Sequence, residues 1–508
     1  MTDMVSLLDH QARAQPRKVA LRAQGESWTY EALARRSCQA AAVLRAQGIG
    51  AGDLVALLCF NTPGFVFALF GAWRLGATVV PVNHKLQAPE IDYALSHSQA
   101  RLCIVDGALA TTVRNVTATT KWLTTDSNAP GFESFDALLD AAEPLPGQTP
   151  AQEAMAEVIY TSGTTGKPKG CMHSQRNVFM TAMAAATAMS LTRLDRTLIA
   201  MPIWHSSPLN NWLLGTLLVG GTVVLLREYA PQPFLQTLAE ERISFTFGAP
   251  IAFLAPLAAV PDVQRYDLSA MRLWAYGGGP LGADMARKLA EAYRSDRFVQ
   301  VYGMTEAGPL GSTLYPEDAA AKAGSIGCCG TTGVVLEVRR PDGQRCGPGE
   351  VGEIHLRSPA MMQGYLDDPA ATAQAFDDEG WYRSGDLARV DEDGYLYVVD
   401  RLKDMIVTGG ENVYSKEVED AVSAYPGVQD VAVIGRPHPE WGETVTALLV
   451  ARPGALLDSA ALREYLSTRL ARYKIPRVFE LHDALPRTPT GKLMKHVMRA
   501  EARQPETR

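Results

Sequence analysis

The sequence predicts an α/β protein whose large N-terminal domain contains doubly wound, mostly parallel sheets. Apolar strand-like segments alternate with helix-like segments between residues 54 and 106, and again between residues 222 and 303. Strands this apolar are typical of parallel sheets that are covered by helices on both faces. From about Gly327 the pattern changes to short strands and tight turns, and it changes again near Arg401. These changes predict a small β-barrel-like subdomain, followed by a small, mobile α+β domain at the C-terminus.

The N-terminal elements follow from residue patterns. Residues 19–30 have the pattern of a hairpin, and Thr29 is the expected N-cap of a helix that ends near Ala46. We next expect strands at 54–59, 78–82 and 101–106, with helices at 63–75 and 88–97 between them. Strands at 222–226, 244–248, 271–276 and 298–303 follow, separated by helices. The uncharged stretches 54–73 and 209–226 contain Asn, Gly or Pro, which favours a strand joined to a helix over a membrane span.

The C-terminal part divides in two. The turn sequences PDG (341–343), GPGE (347–350) and EDG (392–394) predict the small barrel or a meander. A helix from Ser415, strands at 431–435 and 444–450, and a helix over 459–471 predict the compact α+β unit. We therefore expect two domains, residues 1–400 and 401–508, with the boundary between Asp400 and Lys403.

Composition excludes several classes of protein. A chain of 508 residues is too long for one core. The net charge of −7 argues against a nucleic-acid partner, because a basic excess is needed to displace counterions from phosphates. The N-terminus lacks a secretory apolar core, and the seven cysteines follow no CxxC spacing. We therefore expect free thiols and a cytoplasmic location. The histidines show no HxH or HExxH pair, which disfavours a zinc site.

The segment YTSGTTGKPKG, residues 160–170, predicts a polyphosphate site. Glycines let backbone N–H groups turn toward one point, hydroxyls add donors, and lysines add positive charge. It is not a Walker A loop, because Lys167 is followed by Pro168. A flexible linker is the alternative interpretation, although two lysines and a proline favour a fixed conformation.

Five further motifs follow in order: PIWHSSP (202–208), YGMTEAG (302–308), WYRSGD (381–386), DRLKDMIVTGGENVYSKEVE (400–419) and PRTPTGKL (486–493). With these six motifs the chain resembles the adenylate-forming superfamily of acyl-CoA synthetases, luciferases and nonribosomal-peptide adenylation domains over essentially its whole length. The forms YGMTEAGP and VTGGENVYS are most similar to those of carboxylate–CoA ligases. The resemblance implies that a carboxylate attacks the α-phosphorus of ATP, and that the thiol of coenzyme A (CoA) then displaces AMP from the acyl-AMP.

The resemblance also implies roles in nucleotide binding. The residues expected to contact the phosphates are Thr161, Ser162, Gly163, Thr164, Thr165, Gly166 and Lys169. Thr305 would donate to a phosphate and Glu306 would hold Mg²⁺. Adenine would lie against Gly277, Gly278 and Gly279 under Tyr302, and the ribose would contact Asp386 and Arg401. The expected catalytic groups are Lys492, Thr305, Glu306 and His205, with Lys492 bridging the substrate carboxylate and the α-phosphate after movement of the C-terminal domain.

His205 stands where amino-acid-activating relatives carry an aspartate, so the resemblance implies an acid without an α-amino group. The residues expected at the acyl pocket are His205, Ser206, Ser207, Asn210, Met304 and Gly308. Their polar members favour a small, aromatic or polar-substituted acid, unless they point at backbone. The residues implied for the hinge and CoA are Lys403 as hinge, Gly409 and Gly410 beside the pantetheine tunnel, and Trp441, Lys474 and Arg477 at the CoA nucleotide.

Three other classes of protein share some of these features. GGGPLG (277–282) fits GxGxxG, but the acidic residue that a dehydrogenase needs after the next strand is missing at Gln300-Val301-Tyr302. Transfer to a separate carrier protein, or luciferase-type oxygenation, remains open. A non-catalytic nucleotide-binding relative is disfavoured, because Glu306, Asp386, Arg401 and Lys492 are all present. The expected partners are a carboxylic acid, ATP and CoA, without nucleic acid or a membrane span, and a homodimer is left open.

Overall fold

The computed structural model describes residues 2–125, 129–161, 167–279, 281, 283–487 and 493–501. The predicted site residues from Ser162 to Gly166, and Lys492, lie outside these ranges. The described chain forms two compact units. The first unit comprises the residues up to Thr161, Lys167–Leu336 and Leu356–Tyr382, and the second comprises Glu337–His355 and the described residues from Arg383 onward.

The strands in the first part of the chain are Val19–Ala23 (β1), Glu26–Thr29 (β2), Leu54–Leu58 (β3), Thr78–Pro81 (β4), Leu102–Asp106 (β5), Lys121–Thr125 (β6), Glu133–Ser134 (β7), Met155–Thr161 (β8), Lys169–Ser174 (β9), Arg196–Ile199 (β10), Thr222–Leu225 (β11), Phe245–Gly248 (β12), Leu273–Gly277 (β13), Phe298–Met304 (β14) and Leu310–Leu314 (β15). Those that follow are Val335–Arg339 (β16), Val351–Arg357 (β17), Gly364–Tyr365 (β18), Tyr382–Val390 (β19), Leu396–Arg401 (β20), Ile406–Thr408 (β21), Glu411–Val413 (β22), Val428–His438 (β23), Gly442–Ala451 (β24) and Val478–Leu481 (β25).

The α-helices are Met4–Ala14 (α1), Tyr30–Ala46 (α2), Pro63–Arg74 (α3), Ala88–Ser98 (α4), Ala110–Val113 (α5), Phe135–Ala141 (α6), Gln175–Ala188 (α7), Leu214–Leu218 (α8), Pro231–Glu240 (α9), Pro250–Ala259 (α10), Ala283–Tyr293 (α11), Pro316–Ala319 (α12), Pro369–Ala375 (α13), Ser415–Ser423 (α14), Ser459–Ser467 (α15) and Lys495–Glu501 (α16). Short 3₁₀ turns occupy Gly107–Leu109, Val263–Arg265, Thr305–Ala307 and Arg472–Lys474, and a π-helix occupies Ser207–Leu213.

Local signals explain where many helices begin. The Thr29 hydroxyl accepts a hydrogen bond from the backbone N–H of Ala32 at 3.1 Å, which confirms this residue as the N-cap of α2. Thr62 caps α3, and Pro63 stands in its first turn, where proline costs no hydrogen bond. The two long uncharged stretches are β3 with α3, and the π-helix with α8 and β11. No helix in the described ranges is both long and apolar enough to cross a bilayer.

Two eight-stranded sheets form the first unit. Their strand orders are β15-β14-β13-β12-β10-β11-β1-β2 and β18-β9-β8-β4-β3-β5-β6-β7. Pairing is parallel through the interiors, for example Phe245 with Leu273 and Leu54 with Thr78. Antiparallel pairs occur at the ends, between β14 and β15 and between β8 and β9. One core packs around the fully buried Trp274 and Phe253, and another around Leu58, Val80 and Val105.

The second unit contains the smaller sheets. The β-rich stretch forms the four-stranded order β16-β17-β19-β20, and the C-terminal part forms β22-β21-β24-β23 with β25 beside β24. Val418 and Val422 of α14 pack with Val433 and Leu449 in the core of the C-terminal part. The α/β class with largely parallel sheets and separate smaller sheets is confirmed. All seven cysteines are free, as the sequence predicted.

Candidate active site

The phosphate segment begins where β8 ends, at Thr161. Its two lysines lie against aromatic rings. The Lys169 ammonium is 4.9 Å from the centre of the Tyr365 ring, and that of Lys167 is 5.5 Å from the centre of the Tyr93 ring. The phenol of Tyr93 also donates to the carbonyl oxygen of Pro168 at 2.9 Å. The lysines are thus held next to the glycine-rich segment, where a polyphosphate needs positive charge.

Glu306 lies in the 3₁₀ turn that follows β14, with its side chain partly exposed. Its Oε1 accepts a hydrogen bond from the phenol of Tyr365 at 3.1 Å. Burial, with the nearby Glu306 carboxylate, raises the pKa of Tyr365 and Tyr382, so both phenols stay protonated as donors. The sequence analysis did not single out either tyrosine.

The side chain of Glu306 is suited to a divalent cation. Mg²⁺ is commonly held by one or two carboxylates together with substrate phosphates, rather than by a cage made only of protein groups. The described residues contain no cluster of three or more potential ligands, and Glu306, in the turn predicted to bind phosphate, matches the sparser arrangement. The Tyr365 phenol donates to Oε1 of this carboxylate and helps to fix its orientation.

The predicted acid-binding segment reaches the phosphate-binding turn directly. The hydroxyl of Ser206 is 2.9 Å from that of Thr305. Trp204 donates through Nε1 to Nδ1 of His84 at 3.2 Å, and its ring lies 3.8 Å from that of His205. Burial lowers the pKa of His84 to about 4, so its ring is the neutral acceptor that this contact requires. His84 therefore fixes Trp204, and Trp204 supports the ring of His205.

The π-helix turns its two adjacent asparagines to different surroundings. Asn210 donates through Nδ2 to Oε1 of Glu157 at 2.6 Å in the core. Asn211 donates to the carbonyl oxygen of Pro309 at 2.9 Å and lines a cavity of about 10 Å³. Ala185, Val301, Tyr302 and Leu310 form further parts of its wall. Asn210, which is predicted to line the acyl pocket, is thus hydrogen-bonded to the core, and Asn211 was not among the predicted residues.

Backbone geometry accounts for the glycines near the predicted adenine site. A Cβ atom at Gly277 would stand 2.8 Å from the carbonyl oxygen of Val301, and Gly278 has a φ of +80°. Gly279 has open space beside it. Gly308 also has a positive φ, of +63°, and a Cβ there would stand 2.6 Å from the carbonyl oxygen of Ala360. Side chains are therefore disfavoured at Gly277, Gly278 and Gly308 for steric or backbone reasons.

The two predicted ribose contacts in the second unit are joined to each other. Asp386 and Arg401 are cross-strand partners on β19 and β20, and the Arg401 Nε is 2.8 Å from Asp386 Oδ1. Arg401 also donates to the carbonyl oxygen of Ser384 at 3.3 Å. An arginine–carboxylate pair of this kind fixes both side chains relative to the sheet.

The predicted CoA residues form a second group in this unit. Gly409 and Gly410 both have positive φ, and a Cβ at Gly409 would stand 3.0 Å from the ring of Trp441. The guanidinium of Arg477 lies 4.4 Å from the centre of that ring. Lys474 instead pairs with Glu417 at 2.7 Å. Lys403 is exposed and lies on the turn between β20 and β21.

The structure thus brings part of the predicted site together within the first unit. Thr161, Lys169, Ser206, Thr305 and Glu306 belong to segments that contact one another, and Met304 ends the strand that leads to them. Ser207 begins the π-helix. Asn210 hydrogen-bonds Glu157, and its place in the acyl pocket stays a prediction. Glu157, Tyr365 and Asn211 lie next to the predicted residues and were not among them.

Known proteins and family models match this chain over most of its length. The family described as AMP-binding enzyme matches residues 8–366, and the AMP-binding enzyme C-terminal domain matches residues 417–492. A feruloyl-CoA synthase of Amycolatopsis sp is 40% identical over 491 residues, covering 96% of each chain. The long-chain fatty acid–CoA ligase FadD13 of Mycobacterium tuberculosis is 36% identical over 480 residues, covering 93% of each.

A solved structure extends this similarity to the fold. O-succinylbenzoate coenzyme A synthetase (MenE) from Bacillus subtilis, in complex with ATP and a magnesium ion, matches with a TM-score of 0.86 and 29% identity, covering 98% of this chain and 99% of that one. The chain therefore belongs to the AMP-binding enzyme family and is an AMP-forming carboxylate–CoA ligase.

Proposed function

We propose that this ligase activates an aromatic or short polar-substituted carboxylic acid, with Mg²⁺ held by Glu306 and ATP bound at the Thr161–Lys169 segment. The observation that carries this proposal is the 2.9 Å contact between the hydroxyls of Ser206 and Thr305. It joins the segment expected to hold the acid to the turn expected to hold the phosphates. The two reactants of the adenylation step would therefore meet at one place, and bringing reactants together is a main source of catalysis.

The residues of the first unit supply position and charge. Thr305 would donate to a phosphate oxygen, and Lys169 would neutralise charge on the leaving pyrophosphate. Glycines at 277–279 would let the adenine approach the backbone, with Tyr302 over its face. Bound Mg²⁺ would supply charge neutralisation at the phosphates. Lys492 is the proposed group that bridges the substrate carboxylate and the α-phosphate.

The residues of the second unit are proposed to serve the nucleotide and the thiol. Asp386 would accept from the ribose hydroxyls, held in place by Arg401. Gly409 and Gly410 would leave room for the pantetheine chain, and Trp441 with Arg477 would contact the CoA nucleotide. Lys474 is the less favourable candidate for this role, since it already pairs with Glu417. We propose Lys403 as the hinge, with functional domains at 1–400 and 401–508.

The nature of the acid is inferred from the side chains beside the π-helix, where a space of about 10 Å³, enough for one water molecule, would have to open to admit an acid. Ala185, Ala188, Val301 and Leu310 give it apolar walls. Asn211 contributes an amide whose Oδ1 is buried without a hydrogen-bond partner in the described structure. A buried acceptor without a partner favours a ligand that brings a donor. The feruloyl-CoA synthase relative, with 40% identity, supports an aromatic acid with a hydroxyl group on its distal end.

The direct test is incubation with ATP, Mg²⁺ and CoA and a panel of acids, scoring AMP release and thioester. The panel should pair hydroxylated cinnamic and benzoic acids with unsubstituted acids of the same length, and should include fatty acids. We expect AMP and the greatest kcat/KM with a hydroxylated aromatic acid. Release of ADP instead of AMP would contradict the reaction, and a preference for long fatty acids would contradict the acid. Replacing CoA with a carrier protein tests the alternative acceptor.

The location of the protein and its oligomeric state have separate tests. The seven free thiols support a cytoplasmic location, where thiols stay reduced. Fractionation of the native cells followed by immunodetection would test it. Light scattering on the purified protein decides between a monomer and a homodimer.

A further inference from the structure

Glu157 is a carboxyl group buried in the middle of a sheet. It lies on β8, four residues before the phosphate segment begins at Thr161, and is 0% exposed. It pairs with Val79 of β4 on one side and with His173 of β9 on the other. No arginine or lysine in the described ranges pairs with it, and burial raises its pKa to about 7. A buried acid without a cation is costly, so its retention calls for an explanation.

Hydrogen bonds, one strand pairing and the chain itself together link Glu157 to the candidate site in a circuit. Asn210 of the π-helix donates to Glu157 at 2.6 Å. His173 lies directly opposite Glu157 across the antiparallel pair, where side chains share a face of the sheet. The ring of His173 hydrogen-bonds the backbone of Thr305, and the hydroxyl of Thr305 is 2.9 Å from that of Ser206. Ser206 immediately precedes the π-helix, which returns the circuit to Asn210.

Three buried polar atoms lie around this circuit without a partner in the described structure: Oε2 of Glu157, Oδ1 of Asn210 and Nε2 of His173. Burial lowers the pKa of His173 to about 4, so its ring is neutral. A neutral Glu157 carboxyl can donate one hydrogen bond from Oε2 while Oε1 still accepts from Asn210. The carboxyl is thus chemically suited to join the strand to the π-helix.

We propose that Glu157 is a positioning residue for the adenylation step, whose buried carboxyl holds Asn210 and thereby keeps the acid-binding segment 206–213 in register with the Thr305–Glu306 turn. Glu157 does not touch the substrate. It acts through Asn210, and it would set how the acid is presented to the phosphates. This proposal rests on the proposed adenylation chemistry.

The test compares Glu157→Leu with Glu157→Gln. The glutamine keeps an oxygen for Asn210 and an N–H for the neighbouring acceptors, whereas leucine keeps neither. We expect Glu157→Leu to raise the KM for the acid at least tenfold while the KM for ATP changes less than twofold, and Glu157→Gln to restore most of the loss. Thr246→Val is the matched control, because Thr246 is also fully buried with one hydrogen bond, to Leu198, in the other sheet.

A double variant tests the path through Asn210. If Glu157 acts through Asn210, the KM of Glu157→Leu/Asn210→Leu should equal that of Asn210→Leu alone, rather than reflect the product of two effects. Unchanged KM values in Glu157→Leu would overturn the proposal. Parallel rises for acid and ATP without rescue by glutamine would also overturn it, because they indicate general damage. If Glu157→Leu does not fold, Asn210→Leu with Glu157→Gln gives the same comparison.

Hydrogen exchange separates failure of this proposal from failure of the proposed function. Amide exchange in peptides covering residues 206–213 should accelerate at least tenfold in Glu157→Leu and stay unchanged in Thr246→Val. Exchange at the wild-type rate would overturn the positioning role even in an active enzyme. Exchange could be faster in Glu157→Leu although the wild-type protein releases no AMP with any acid. That result would support the positioning of segment 206–213 and would contradict the proposed function instead.

Discussion

Among single residues, Tyr365 has the most direct connection to the proposed metal ligand. Its phenol donates to Glu306 at 3.1 Å, and the Lys169 ammonium faces its ring at 4.9 Å. Tyr365→Phe keeps the ring and removes the donor. A hydrogen bond to a charged group contributes about 1.5–3 kcal/mol, so we expect kcat/KM for Mg·ATP to fall roughly 10–100-fold. Rates of pyrophosphate release at several Mg²⁺ concentrations measure this fall in kcat/KM. The half-saturating Mg²⁺ concentration should rise.

The matched control is Tyr229→Phe, which removes a phenol that donates to the carbonyl oxygen of Ala252 away from the candidate site. It should lower the melting temperature without changing the Mg²⁺ dependence. Equal kinetic losses in the two variants would contradict the specific role of Tyr365.

A second residue-scale prediction concerns Asn211, whose side chain lines the cavity beside the π-helix. Asn211→Leu removes the amide and leaves an apolar wall of similar size. We expect kcat/KM to fall about tenfold for an acid with a distal hydroxyl. This fall corresponds to the loss of one hydrogen bond, which contributes about 1 kcal/mol or slightly more. The unsubstituted acid of the same length should react as well or better. A competition assay with both acids measures the ratio, and an equal loss for the two acids would contradict selection by Asn211.

Residue patterns could identify the motifs but not all of the side chains that complete the site. Thr305 and Glu306 follow from YGMTEAG, and the structure places them beside Ser206 and Tyr365 as contacts. The assignment of Asn210 to the pocket stays a prediction, and the structure adds that its amide is hydrogen-bonded to Glu157, 53 residues away in the sequence. Glu157 was visible as the one charge in an apolar run, but no local pattern could indicate its partner.

At the scale of elements, the sequence was informative wherever a local physical rule acts. The cap at Thr29, the proline that begins α3 and the apolar parallel strands all appear where expected. The π-helix at Ser207–Leu213 was not predicted, since a wider hydrogen-bonding turn has no distinct hydrophobic period. This wider turn changes which residues share a face, so the surroundings of the adjacent asparagines could not be predicted from helical periodicity. The pairing of β1 with β11 depends on contacts distant in sequence and was also inaccessible.

The β21–β22 turn carries the element-scale prediction. Gly409 has a φ of +61°, and a Cβ there would stand 3.0 Å from Trp441. Gly409→Leu should therefore distort the turn and fill the proposed pantetheine path. We expect thioester formation to fall at least tenfold, because a displaced thiol reacts far more slowly with the acyl-AMP. Acid-dependent pyrophosphate release should stay within about twofold. Separate assays of the two half-reactions measure this.

Gly454→Leu controls for backbone strain alone, because Gly454 has a φ of +79° and open space around it. Its half-reactions should both remain near wild type. Unchanged CoA turnover in Gly409→Leu, or the same loss in Gly454→Leu, would contradict the assignment of Gly409 to the thiol path.

At the scale of the whole molecule, the proposed site residues are distributed over two compact units. The first contains the proposed phosphate, metal and acid groups, and the second contains Asp386, Arg401 and the proposed CoA group. The reaction has two stages, adenylation and thioester formation, and the proposed groups of the second unit would serve both. A residue used in only one stage should affect one half-reaction, whereas damage to folding should affect both. Separate assays of the two half-reactions can therefore distinguish a specific role from damage to folding.

Lys492, predicted from the PRTPTGKL motif, is expected to act in the adenylation stage and not in thioester formation. Lys492→Ala removes the ammonium proposed to bridge the acid carboxylate and the α-phosphate. A preorganised cationic donor is worth about 3–4 kcal/mol of barrier, so pyrophosphate release should fall roughly 10²–10³-fold. Thioester formation from supplied acyl-AMP should continue, because that stage starts after the bridge has been used. Lys416→Ala is the control, since Lys416 is a partly exposed lysine that pairs with Asp420 on α14, and it should leave both stages unchanged. Loss of both stages in Lys492→Ala would contradict a role confined to adenylation.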